Sequence, residues 1–139
     1  MSEYCYRKVI RMKISVEEVC KIFGVEDGWC VSDLLDTTEF SDLLNETKFE
    51  IAPTFDFFLD YVLSSGNDVE GDWGRARQLS NDEYVKYSHK FSKLLKGRIV
   101  MPDELRLVEY CWCDCSEAPD YFDESTHHDD FYNEVQTDF

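Results

Sequence analysis

Lysine and arginine are scarce in this chain, fourteen against thirty aspartates and glutamates in 139 residues. The last twenty-nine residues, from Cys111, hold nine carboxylates and no basic side chain. Binding to a duplex or to anionic lipid proceeds by neutralising phosphates with Lys and Arg, so a formal charge of −16 argues against direct contact with nucleic acid or a charged membrane. No apolar stretch approaches the roughly 20 residues of a membrane span. The opening Met1 to Lys8 lacks the basic flank and apolar run of a secretory signal, and a soluble cytoplasmic protein is expected. Phosphate-cradling glycine loops, a nucleophile elbow, a zinc-protease helix and kinase signatures are all missing, so the expected protein is not an enzyme and carries no cofactor.

What is present is a folding composition. Hydrophobic residues make up 43% and aromatics 15%, with ten Phe, eight Tyr and three Trp, which separates the chain from disordered acidic sequences. Its length suits one domain, expected over residues 1–115, followed by an acidic, aromatic segment over 116–139 that packs partly on it. The charge is uneven: Met1–Ile14 and Tyr84–Tyr110 each sum to +3, while the residues between them sum to −13. Six cysteines in a chain with no sign of export are expected to be reduced thiols.

Tyr6, Lys8, Ile10, Met12 and Ile14 recur at period two and predict a strand. Ser15 three residues before Glu18 then opens a short helix with the stripe Val16, Val19, Cys20, Phe23, ending at Gly24. Leu34-Leu35 and Leu43-Leu44 predict one interrupted helix or two short ones, capped by Ser32 and Ser41. Pro53-Thr54 followed by Phe55, Phe58, Leu59 and Val62 reads as a further helix, and Gly66–Gly74 as a surface loop. Ser80 and Glu83 form a capping box ahead of the clearest helix, with Tyr84, Tyr87, Phe91, Leu94 and Leu95 inward. Its outer face carries Lys86, Lys90 and Lys93, either a solvated face or a dock for acidic groups. Leu105 to Cys113 alternates as a second strand with both faces partly buried. These elements predict an α+β domain in which strands near the two ends of the chain pair in a small sheet covered by three to five helices.

Cys111, Cys113 and Cys115, with His127 and His128, are the residue types that zinc prefers. Their spacing opposes it. Residues two apart in a strand lie roughly 6.5–7 Å apart, whereas two thiolates on one zinc with bonds of about 2.3 Å lie much closer together. No metal is expected, and the cysteines read as small buried hydrophobes. His89, His127 and His128 stand in no local signature for a cysteine nucleophile. Trp73-Gly74-Arg75-Ala76-Arg77 is sharper: its two arginines are the sole cations between Lys48 and Lys86. They are expected either to pair with nearby acids or, with Trp73, to bind an anionic ligand through forked guanidinium donors. The C-terminal acids Asp114, Glu117, Asp120, Asp123, Glu124, Asp129 and Asp130 are the candidate contacts to a basic partner protein.

Three segments, Arg11–Val19, Phe49–Gly66 and Gly74–Glu83, resemble in order and type the YfbM-like family of small bacterial and phage proteins. In that family a helix with an aromatic and an acid precedes a glycine-containing loop and a Leu-Ser-Pro-Glu-Glu helix start. The resemblance implies a fold and no catalytic residues. From size, charge and the lack of catalytic motifs, the expected function is a non-enzymatic acidic interaction module, of phage or mobile-element type, that binds and inhibits a basic, nucleic-acid-binding protein. The alternative is a small anion-binding or enzymatic domain built on Arg75 and Arg77.

Overall fold

Strand β1 (Tyr4–Lys13) is buried without interruption from Lys8 to Met12, because it lies inside a sheet with a partner on each side. The structure is a computed structural model that describes residues 4–26, 28, 30–52, 57–67, 73–98, 101–102 and 105–113. Helix α1 (Val16–Ile22), α2 (Val31–Leu35) and α3 (Thr38–Glu46) follow β1; then come β2 (Phe49–Ile51), β3 (Phe58–Asn67), β4 (Trp73–Gln78), α4 (Asn81–Leu94) and β5 (Arg106–Cys113). The strands form one antiparallel sheet in the order β2-β3-β1-β5-β4. This is the expected α+β class, with the expected pairing of first and last strands, Ile10 opposite Leu107, at its centre.

The helices all contribute to one cluster with one face of the sheet: Ile10, Met12, Leu59 and Leu107 beneath Val19, Leu34, Phe40 and Phe91. Burying each such side chain fully stabilises the fold by roughly 1.5–3 kcal/mol. Edge-to-face aromatic contacts tie helices to sheet and to each other, Phe49 to Phe91 at 5.0 Å and Phe23 to Phe40 at 5.1 Å. The opposite face holds a second cluster, Val9, Ala76, Val108, Tyr110 and Trp112, to which no described helix contributes.

Local chemistry sets the helix ends. Ser15 caps α1 by accepting the Glu18 N–H at 3.1 Å, and Gly24 at φ +74° turns the chain out of it. At α4 the capping box is complete: Ser80 Oγ accepts the Glu83 N–H, and Glu83 accepts the Ser80 N–H. The caps of α2 and α3 fall at Cys30 and Thr37, ahead of the expected Ser32 and Ser41, and Asp33 reaches back to the Cys30 N–H.

The larger correction concerns Pro53 to Val62. Where a helix is expected, the described part from Phe58 onward is β3. Phe58, Leu59 and Asp60 are buried consecutively, since this strand sits between β2 and β1 and both of its faces are covered there. Phe58, Leu59 and Val62 match a helical stripe only by coincidence, and Pro53, Thr54 and Phe55 lie outside the described residues. Likewise, Trp73 to Gln78 is not a segment leading from loop to helix but strand β4, paired along β5.

Candidate functional site

Arg75 and Arg77 sit at alternate positions of β4, opposite Glu109 and Leu107 of β5. Arg75 donates through Nε and Nη2 to Glu109 Oε1 at 3.1 and 2.8 Å. The other carboxylate oxygen of Glu109 accepts from the Tyr6 hydroxyl at 2.6 Å, and Lys8 stands across from it on β1. One buried carboxylate thus joins β1, β5 and β4. Arg77 makes a two-pronged contact with Glu83, Nη1 to Oε1 and Nη2 to Oε2, both at 2.9 Å. Burial alone would raise the Glu83 carboxyl, but hydrogen bonds from Arg77 and the Ser80 backbone, with the Arg77 charge, outweigh it and hold the group below its ordinary value. Both arginines therefore serve carboxylates of their own chain, binding strand β4 to its neighbour and to the start of α4.

Sequence reasoning did not find the most deeply buried ion pair. Arg11 of β1 donates Nε and Nη2 to the two oxygens of Asp60 on β3 at 2.8 and 2.9 Å, with no solvent exposure on either side chain. The guanidinium carbon lies 5.0 Å from the Phe58 ring centre and 5.2 Å from that of Tyr110. Burial pushes the Asp60 carboxyl up and Arg11 pulls it down; the Tyr110 hydroxyl is raised by burial and then by the Asp60 charge. The available signal was the odd-numbered face of β1, where Arg7 and Arg11 alternate with Cys5 and Val9. Arg7 also finds a carboxylate, Glu50 of β2, at 3.0 Å.

The remaining acids gather on the helices. Residues 15–47 carry nine carboxylates against Lys21 alone. Of these, Glu17, Glu18, Glu26, Asp36, Glu39, Asp42 and Glu46 are exposed. Among them Glu39 contacts the Lys96 ammonium. The other charged helix, α4, presents its lysines outward. Lys86 lies 5.1 Å from the Tyr87 ring centre, and Lys90 5.2 Å from that of Tyr61. Exposed carboxylates thus gather on α1–α3 and exposed lysines along α4, which also carries the exposed Asp82.

Beside α2 and α3 lies a groove of about 610 Å³, walled by Leu35, Leu44 and Thr47 on the helical side and by Lys48 to Ile51 and Val62 to Ser65 on the sheet side. It exists because β2 has three residues and β3 has ten. Pairing between them runs from Ile51–Leu59 to Phe49–Tyr61, extended by one bond from the Val62 N–H to the Lys48 carbonyl at 2.9 Å.

Cys111 and Cys113 are buried on β5, as expected of core residues. Among the described residues no cluster of His, Cys, Asp or Glu is arranged to hold a metal ion, and no described helix is long and apolar enough to cross a membrane. Cys115, His127, His128 and the C-terminal acids Asp114, Glu117, Asp120, Asp123, Glu124, Asp129 and Asp130 lie outside the described residues. No protein-family model, no curated protein and no solved structure matches the chain.

Proposed function

We propose that the protein is a non-enzymatic acidic interaction module that binds a basic protein partner and, by covering a surface made for phosphates, inhibits a nucleic-acid-binding one. The observation that carries this reading is the unpaired acidity of α1–α3: seven exposed carboxylates, of which Glu39 alone meets a cation among the described residues. Arg7, Arg11, Arg75 and Arg77 are committed elsewhere, to Glu50, Asp60, Glu109 and Glu83 on the sheet and at the start of α4, and Arg98 donates to the Ile22 carbonyl at the end of α1. A field of one sign steers an oppositely charged partner into encounter and selects it by sign. The C-terminal carboxylates extend the same charge in sequence.

The test is affinity capture from native host extract, eluted in steps of rising salt. Captured proteins should be basic and should leave the column steeply as salt screens the contact. Charge removal at Glu17, Glu18, Asp42 and Glu46 should weaken capture far more than Arg75→Ala. Retention that ignores salt, or that depends on Arg75 and not on the carboxylates, overturns the reading in favour of an anion-binding role.

A further inference from the structure

Natural sheets rarely leave a strand edge open, because unpaired N–H and C=O groups recruit other strands. Here β3 runs on beyond β2, and its last residues, Ser64 to Asn67, pair with Lys8 to Cys5 of β1 on the inner side. On the outer side, no hydrogen bond to them is formed by any described residue. Ser64, Ser65, Gly66 and Asn67 are all exposed, and a Cβ built on Gly66 would meet no atom within 4 Å. Neither a proline nor a lysine, two of the residues that block pairing at natural edges, stands on this stretch. Leu63 forms a bulge at its base, where Val9 pairs with Val62 and Lys8 with Ser64.

The groove described above runs alongside this edge and supplies what an added strand needs beyond backbone bonds. Leu35, 45% exposed, and Leu44 provide an apolar wall for alternate side chains. Glu50 lines the groove but is held by Arg7; the acids free to meet a cation are the exposed Asp36 and Glu46, which adjoin its lining residues in sequence, with Lys48 as the opposing charge. We infer that the β3 edge from Leu63 to Asn67 receives an extended, basic segment of a partner protein as a sixth strand, with its apolar side chains toward Leu35 and Leu44 and its cations toward Asp36 and Glu46. This inference rests on the acidic-module reading and specifies its contact. A second copy of the chain is a poor occupant, since it would bring another sixteen negative charges to an already acidic rim.

The experiment uses the full chain and a short synthetic peptide alternating lysine and valine, compared with the same peptide methylated on alternate backbone nitrogens. Amide hydrogen exchange and NMR shift changes locate the contact. Expected are binding of the plain peptide, slowed exchange confined to Ser64–Asn67 and their neighbours, and about tenfold or greater weakening by backbone methylation, which removes strand hydrogen bonds and keeps the charge. Leu35→Lys, at an exposed position, should weaken the peptide similarly at unchanged melting temperature. Equal binding of both peptides, or shifts spread over α1–α3 without protection of β3, overturns strand addition and leaves the acidic-module reading standing. Failure of both peptides while polylysine binds has the same meaning, and failure of polylysine as well removes both. Self-association through Ser64–Asn67 without peptide also overturns the inference.

Discussion

Arg11 and Asp60 meet through two parallel hydrogen bonds inside the sheet, with neither side chain reaching water. Taking two charges out of solvent is costly, and the pair offsets that cost only while both members are present. Asp60→Ala should therefore destabilise the protein by about 3–5 kcal/mol, the penalty of an uncompensated buried guanidinium. The double replacement Arg11→Met with Asp60→Leu should recover most of the loss. Denaturant unfolding of Arg11→Met, Asp60→Leu and the double replacement checks this, and additive losses would rule out the coupling.

Glu83 gives the acid limb of stability a definite sign. Its carboxyl is held below its ordinary value in the folded state, so its contribution is complete above about pH 4.3, the unfolded value, and fades as pH falls through the lowered folded value. Glu50, raised by burial, acts in the opposite sense: its ionisation costs stability, and acid relieves that cost. Comparing wild type with Glu83→Gln isolates the first effect. The variant should lose about 1–2 kcal/mol at neutral pH, because Gln keeps the acceptor for the Ser80 N–H but leaves the buried Arg77 guanidinium without its counter-charge, and the difference between the two proteins should shrink on acidification.

Gly24 should tolerate no side chain without cost, for a reason independent of space. A Cβ there would touch nothing within 4 Å, so the whole penalty of Gly24→Ala is that of holding φ at +74°. The expected loss is roughly 1–2 kcal/mol, measured as a shift in the denaturation midpoint.

Arg75 and Arg77 are expected to behave as structural ties. Arg77→Met should lower the melting temperature by leaving the half-buried Glu83 carboxylate without its counter-charge. Inorganic phosphate should produce no thermal shift that disappears in Arg75→Ala, because the Arg75 donors already serve Glu109.

Elements whose pattern is one-sided were readable from sequence. The Ser15 cap of α1, the capping box of α4, the α4 stripe of Tyr87, Phe91 and Leu94, and the central pair β1 and β5 all follow from local spacing. Strand β3 was not readable, because a strand covered on both faces shows no alternation, and Asp60, a charge in the middle of it, makes sense only beside Arg11. Strand β4 was concealed by its arginines, which look like surface residues until Glu109 and Glu83 are placed against them. The groove could not be seen at all, since it arises from the unequal lengths of β2 and β3, which no single segment reveals.

The pairing of Tyr6 with Glu109 spans 103 residues, and every bond between β1 and β5 has a similar reach. Sheets whose central contacts are this distant in sequence close slowly, since loop entropy must be overcome before those contacts form. During synthesis β1 emerges early and must wait, with its apolar side chains unshielded, until residue 113 has left the ribosome. Folding of the core must thus wait for β5, and shortened chains that lack β5 should collect as aggregates or be degraded.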